Sequence, residues 1–361
     1  MKRIIAFSFF VTLIMLTNQI VAQATWEPQM KITGYISTEF NYFDDLKGYE
    51  NNYGVALSEA GFLTNYKPIK DLTFKSVFVY RPDFSFDQML NEANIEYTAS
   101  NQMNLKVGRF LTPLSPMNTY YYAPVNTSAT LPVLISNHEF FPLNIDGLSI
   151  NGSLGEEFKF NYDLFAGGYR NTTWMKTGAV GFFGDEVAYY KTLVNSTYTV
   201  DPSYNNTYNI AFGGNAGFSI NDWAIIGASI FIPKKEIMPI YIPSMNATIH
   251  RESEKITYGM NFRFKYNNTR IIGELWNGDM TIDQDNIDLQ GSFIEVSQMI
   301  NKVTPYARFE AQTTNDIDFN RYTIGASYKP IFEATFKLEY INYQHDAQNI
   351  NGLVFAFIYS F

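Results

Sequence analysis

The chain of 361 residues contains no cysteine. That absence excludes disulfides, thiolate nucleophiles and cysteine-ligated metal centres. Histidine is almost as scarce: His138, His250 and His345 stand alone, with no second ligand at metal-binding spacing, so neither a metal nor a cofactor is expected. Long apolar runs are missing too. The longest, Ile4 to Leu16, is too short to cross a bilayer as a helix. Positive charge is the minor sign, with 26 Lys and Arg against 35 Asp and Glu, which argues against a nucleic-acid partner.

What is present points elsewhere. Met1-Lys2-Arg3, the apolar run and Ala22-Gln23-Ala24 form a basic region, a hydrophobic region and a small-x-small cleavage site. Residues 1–24 therefore read as a secretory signal peptide, and 25–361 as the mature domain. No cysteine follows the apolar run, so a lipoprotein anchor is excluded. The chain carries 26 Tyr and 31 Phe, residues favoured in strands and at membrane interfaces.

The apolar residues alternate. In 351–361, Leu353, Phe355, Phe357, Tyr359 and Phe361 fall on one face. In 255–266, Ile256, Tyr258, Met260, Phe262, Phe264 and Tyr266 oppose Lys255, Thr257, Gly259, Asn261, Arg263 and Lys265. Similar patterns predict sixteen strands near 30–43, 55–66, 72–81, 86–99, 103–112, 144–154, 158–170, 208–220, 223–232, 253–266, 270–279, 290–300, 303–314, 319–329, 332–344 and 351–361. Their length suits a tilted crossing of about 9–11 residues better than a soluble sheet. Tyr258 and Tyr266 flank an apolar centre, as in an aromatic girdle. Short turns such as Asn267-Asn268-Thr269 and Asn301-Lys302 alternate with long connections at about 44–54, 113–143, 171–207, 233–252 and 280–289. Sorting of loop length by parity predicts an all-β, transmembrane antiparallel barrel in the outer membrane, with both termini in the periplasm.

A sixteen-stranded wall encloses more space than its side chains fill. Inward charges would then solvate a pore. The candidate pore-lining residues are Glu92, Lys106, Arg109, Lys255, Arg263, Lys265, Arg308, Glu310, Arg321 and Lys337. Strict alternation from Leu105 and Val107 would face Arg109 outward, and a bulge near Gly108 would be needed to re-aim it. The 112–143 connection holds Pro113, Pro116, Pro124, Pro132 and Pro142, which forbid a regular helix. Its apolar content should not stand in water. The expected placement is inside the barrel as a constriction, with Pro113, Pro116, Tyr120, Tyr121, Tyr122, Pro124, His138 and Glu139 as its markers; a loop that caps the mouth or packs at a subunit contact is the alternative.

Sixteen strands with a long third outside loop resemble the Gram-negative general porins. Leu105-Lys-Val-Gly-Arg-Phe-Leu-Thr-Pro113, followed by Ile145-Asp-Gly-Leu-Ser-Ile150, is similar to the corresponding region of phosphate-selective-type porins. In anion-selective members the inserted loop is rich in basic residues, whereas Thr112–Leu143 here has none. The Phe/Tyr-rich, cysteine-free style resembles outer-membrane proteins of Bacteroidota-like bacteria. The resemblance implies passive diffusion of small hydrophilic solutes or ions, a homotrimer, and recognition of Phe361 by the barrel-assembly machinery. An enzyme is not expected: His345-Asp346 are adjacent on an extended chain and point to opposite sides. The alternative function is a closed-lumen barrel whose outside loops bind a partner or ligand or, less in keeping with the sequence, hydrolyse one.

Overall fold

The computed structural model describes residues 27–44, 53–81, 86–119, 122–136, 138, 140–170, 199–200, 208–221, 223–242, 247–282, 285–314, 317–345 and 348–361. In chain order the strands are β1 Gln29–Phe43, β2 Tyr53–Ile69, β3 Leu72–Tyr80, β4 Leu90–Ser100, β5 Met103–Leu111, β6 Asn144–Leu154, β7 Phe158–Arg170, β8 Thr199–Val200 and β9 Tyr208–Ile220. They continue as β10 Ala224–Pro233, β11 Glu236–Ile242, β12 Ala247–Tyr266, β13 Thr269–Ile282, β14 Asp285–Gln298, β15 Val303–Thr314, β16 Ile317–Tyr328, β17 Ala334–His345 and β18 Gln348–Ser360. Single-turn helices α1 Phe86–Met89, α2 Pro116–Thr119 and α3 Val133–Ser136 lie in connections.

Sixteen of the strands close into one antiparallel barrel. The remaining two, β8 and β11, pair with each other, and β11 also pairs with the first half of β12 beyond the barrel. Closure is made by β1 against β18, from Tyr35 opposite Ser360 to Phe43 opposite Gly352. The seam is completed by reciprocal backbone bonds between Gly34 and Phe361, each 2.9 Å. Gly34 is required there: a Cβ would stand 2.6 Å from the Phe361 ring. Each of the sixteen barrel strands pairs on both sides, and a closed sheet satisfies its backbone groups without water.

The turns follow from local chemistry. Asn221, Asn267 and Asn301 occupy tight turns with φ of 47°, 50° and 56°, a left-handed region that asparagine tolerates better than other side chains. The expected alternation is also present. On β12, Ile256, Tyr258 and Met260 are exposed while Thr257 and Asn261 are buried. On β17, Leu338 and Tyr340 are exposed while Lys337 and Glu339 are buried. Outward aromatics stack between strands near the short-turn end: Phe336 lies 6.4 Å from Tyr328 and 5.0 Å from Phe357.

Several boundaries differ from the sequence reading, three of them by four residues or more. The expected strand start at 86 is α1, and pairing begins at Leu90. The connection expected at 233–252 contains β11 and the first residues of β12. Strands β13 and β14 extend toward each other, so the 280–289 connection is a tight hairpin. The connections 45–52 and 171–198 lie outside the described residues, as do the signal peptide positions.

The outward apolar band should tolerate charge poorly in lipid. Leu338→Arg is expected to destabilise the folded barrel by about 2–4 kcal/mol if its site lies near the bilayer midplane, and less toward an interface. Reversible denaturant unfolding in lipid vesicles measures the loss.

Candidate functional site in the barrel lumen

The long connection between β5 and β6 folds into the lumen. Its two ends are tied together: Thr112 N–H donates to Leu143 O at 2.9 Å, and the Asn118 amide donates to Thr112 O and Leu143 O at 2.9 and 3.0 Å. Pro116 opens α2, where its missing N–H costs nothing. Leu114, Leu131, Ile135, Phe140 and Phe141 are buried in one cluster with inward residues of the wall, among them Val77, Phe110, Ile145, Phe231 and Phe293. Phe141 packs on Trp276 with ring centroids 4.7 Å apart. Part of the wall facing this segment is therefore apolar on both sides of the sheet, a departure from simple polar-in alternation.

The segment's backbone polar groups are bonded by wall side chains. The Lys337 ammonium donates to Ala123 O and Ser128 O at 2.7 and 2.9 Å. Arg308 donates to Thr130 O at 2.9 Å, and Arg321 donates to Leu131 O. In the other direction, Glu339 accepts from Ala129 N–H and Thr130 N–H at 2.6 and 3.1 Å, and Glu310 accepts from Val133 N–H at 2.7 Å. Glu310 also bridges Arg308 and Arg321 at 2.7 and 2.6 Å. On β13, Glu274 accepts from Ser115 Oγ at 2.6 Å, Met117 N–H at 3.4 Å and Trp276 Nε1 at 3.0 Å. Ser229 and Thr257 donate to Leu114 O and Phe140 O at 2.5 and 2.7 Å.

The opposite wall holds the segment by a second network. Tyr122 donates to Glu92 at 3.0 Å, and Lys75 pairs with the same carboxylate at 2.8 Å. Arg81 pairs with Glu59 at 3.2 Å. His138 is buried, with φ of 54°. It belongs to the connection, not to a crossing strand, and burial together with the nearby Arg81 guanidinium pulls its imidazole down to about 3. It is neutral at ordinary pH.

The expected site residues thus separate into groups. Glu92, Arg308, Glu310, Arg321 and Lys337 face inward but lie buried beneath the inserted segment. Lys106 faces inward beside Glu96, 3.2 Å away. Arg263 and Lys265 face inward near the short-turn end. Lys255 does not join them: it lies eight residues up β12, about 26 Å at strand rise. Arg109 is corrected to the outward face. It stands opposite Ala93 and Asp146, between inward Gly108 and Phe110. Gly108 has a φ of 116°, yet the register on both sides keeps its alternation. Arg109 is bound by Asp146 at 2.6 Å, Asp87 at 3.3 Å and the backbone oxygens of Asp87 and Leu90. Of the loop markers, Pro113, Pro116, Tyr122, Pro124 and His138 lie within the described segment, while Tyr120, Tyr121 and Glu139 fall outside the described residues.

Sequence reasoning missed Glu274, Trp276 and Ser229. The inward face of β13 reads Arg270, Ile272, Glu274, Trp276, a mixture that hides its phase. The only available signal was the opposing register with β12.

Between the inserted segment and β12–β15 lies a cavity of about 670 Å³ that opens toward the short-turn end. Its lining includes Arg263, Lys265 and Arg270, with Glu274 the one carboxylate among the lining residues. Arg270 donates to Thr127 of the segment and stands 3.5 Å from Glu295.

No family model and no curated protein matches this chain. Solved structures do. The in-vitro folded OmpT, an outer membrane protein of Vibrio cholerae, shares 12% identity over 94% of this chain and 99% of its own, with a TM-score of 0.63. An anion-selective porin from Comamonas acidovorans shares 11% identity over 93% of this chain and 100% of its own, at 0.61. Salmonella typhi OmpF in complex with daunomycin shares 12% over 92% of this chain and 97% of its own, at 0.58. At such identities the likeness establishes the fold: a sixteen-stranded barrel of the kind found in outer-membrane porins.

The seat of the inserted segment is testable. Glu339→Ala removes the acceptor for Ala129 N–H, Thr130 N–H and the Tyr306 hydroxyl, which donates at 2.7 Å. Breaking a buried charged network of this kind costs about 3–5 kcal/mol. Hydrogen exchange of residues 123–134 should rise about a hundredfold or more, with the barrel strands far from the segment unchanged.

Proposed function

We propose that the protein is an outer-membrane porin for passive diffusion of small hydrophilic solutes or ions, without enzymatic activity. The observation that carries this reading is a charged, solvent-accessible chamber in the lumen of a closed sixteen-stranded barrel, bounded by an inserted segment. The fold shared with an anion-selective porin supports it. On this reading residues 1–24 are cleaved, the short turns and both termini face the periplasm, and Phe361 is presented to the barrel-assembly machinery. The run 105–113 supports kinship with phosphate-selective-type porins, and the Phe/Tyr-rich, cysteine-free composition supports an origin in Bacteroidota-like bacteria. A homotrimer fits as well, since the Vibrio cholerae protein has a trimer form.

The closed-lumen reading is favoured by one observation. Inward residues of strands on opposite sides of the barrel, such as Glu39, Val77, Glu274, Arg308 and Lys337, are all buried. Under that reading the long outside loops would carry the function. The two diverge in a planar bilayer. A porin gives ohmic single-channel steps, and deleting residues 118–138 should raise their conductance. Silence from verified folded protein would rule out diffusion.

Charge reversal reads the chamber's part in conduction. Arg263→Glu with Lys265→Glu should move the reversal potential in a salt gradient toward cation preference. An unchanged potential would take both residues off the conduction path.

A further inference from the structure

The outward face of the wall is not uniform. On β9 and β10 it stays apolar to the long-connection ends of the strands, where Ile210, Phe212, Ile230 and Ile232 are exposed. Across β13 to β18 it turns polar before those ends. Exposed tyrosines on β12, β16 and β17, namely Tyr258, Tyr322 and Tyr340, lie at the change. Beside them Asn342, Gln344 and Asn351 form an outward amide row. Gln344 donates to Asn342 Oδ1 at 2.9 Å, Asn342 donates to Asn351 Oδ1 at 2.7 Å, and the Asn351 side chain donates to Asp44 at 2.6 Å. Asn320, the cross-strand partner of Gln344, joins this row to a recess of about 420 Å³ on β13–β16. Its floor is low because Ser292 and Ala311, direct partners, are small. Asn277, Gln290, Thr313 and Asn320 surround them, and Leu275 is the one large apolar side chain in the outward lining. The exposed pair Ile294 and Phe309 forms a ledge on the short-turn side.

From this arrangement we propose that the recess and the amide row bind the sugar headgroup of a glycolipid in the surrounding membrane. The charge of the face selects that chemistry. Asp279 and Asp288, cross-strand partners, and Asp318 are exposed on it, and none of the described outward residues of β13–β18 is Lys or Arg. A phosphate headgroup would meet carboxylates and no cation. Sugar hydroxyls suit the same groups, since each amide offers donors and an acceptor and each carboxylate accepts. A space of about 420 Å³ falls in the range of small-ligand sites. The position selects the source. The recess adjoins Ile294 and Phe309 of the apolar band, so a sugar carried on a lipid reaches it with its acyl chains against that band. The inference goes beyond the porin reading and does not depend on conduction; it needs only a barrel that lies in a membrane.

The test is native mass spectrometry of the full, folded barrel in detergent, with equimolar digalactosyldiacylglycerol and dioleoylphosphatidylglycerol and a chelator present. The galactolipid should be retained at least about tenfold over the phospholipid, which needs only two or so extra hydrogen bonds. Gln290→Leu and Asn320→Leu, outward substitutions that leave the lumen untouched, should each cut that preference about fivefold, the loss of one hydrogen bond. Five results would overturn the proposal. They are equal retention of the two lipids, a preference that both variants leave unchanged, a preference that appears only when calcium is added, and free galactose bound as tightly as the galactolipid. The fifth is a variant that changes the mass of the oligomer and not its lipid retention, which would make this face an interface between copies of the chain.

Discussion

A sheet that crosses a membrane must leave no backbone group unpaired, and the β1–β18 seam meets that demand. Every other feature of the interior descends from it. Closure with sixteen strands fixes a circumference, and that circumference encloses more volume than inward side chains can fill. The space must hold water or protein. Here residues 112–143 occupy much of it, and their apolar side chains explain why the facing wall carries Phe110, Ile145, Phe231, Trp276 and Phe293 instead of a continuous polar lining.

Bringing an irregular segment into a lumen creates a second demand. Its five prolines and lack of regular structure leave carbonyls and N–H groups without partners of their own kind. The segment contains no Lys or Arg, so the wall supplies the cations: Lys337, Arg308 and Arg321 cap carbonyls, while Glu339, Glu310 and Glu274 accept from amides. These charges hold the segment in place. They are therefore engaged by the segment, whereas Arg263, Lys265 and Arg270 line accessible space.

The architecture was legible because membrane crossing imposes a simple code. Period-two alternation recovered β6, β7, β9 and β15 at their observed boundaries, and asparagine turns marked the short connections. The inserted segment was legible from proline and apolar content, since such a stretch has nowhere stable to go in water. What stayed hidden was partner choice. Alternation says that Arg308 points inward, but not whether it meets water or a backbone carbonyl. It also cannot phase a strand whose inner face is apolar, which is why Glu274 and Trp276 escaped notice. Lys255 and Lys265 share a face of β12, and only the strand's length reveals that they stand at different heights.

Arg109 shows that the same electrostatic rule acts on the outside of the wall. An unpaired guanidinium on the outward face of a barrel would be expelled by lipid. Instead Asp146 from the neighbouring strand and Asp87 from α1 take its charge, and the carbonyls of Asp87 and Leu90 take remaining donors. That pairing accounts for the one place where a helical turn interrupts the expected start of a strand: α1 brings Asp87 to Arg109. Burial of charge in this protein is thus decided by whether backbone oxygens and opposite charges converge on it, inside the lumen and outside alike.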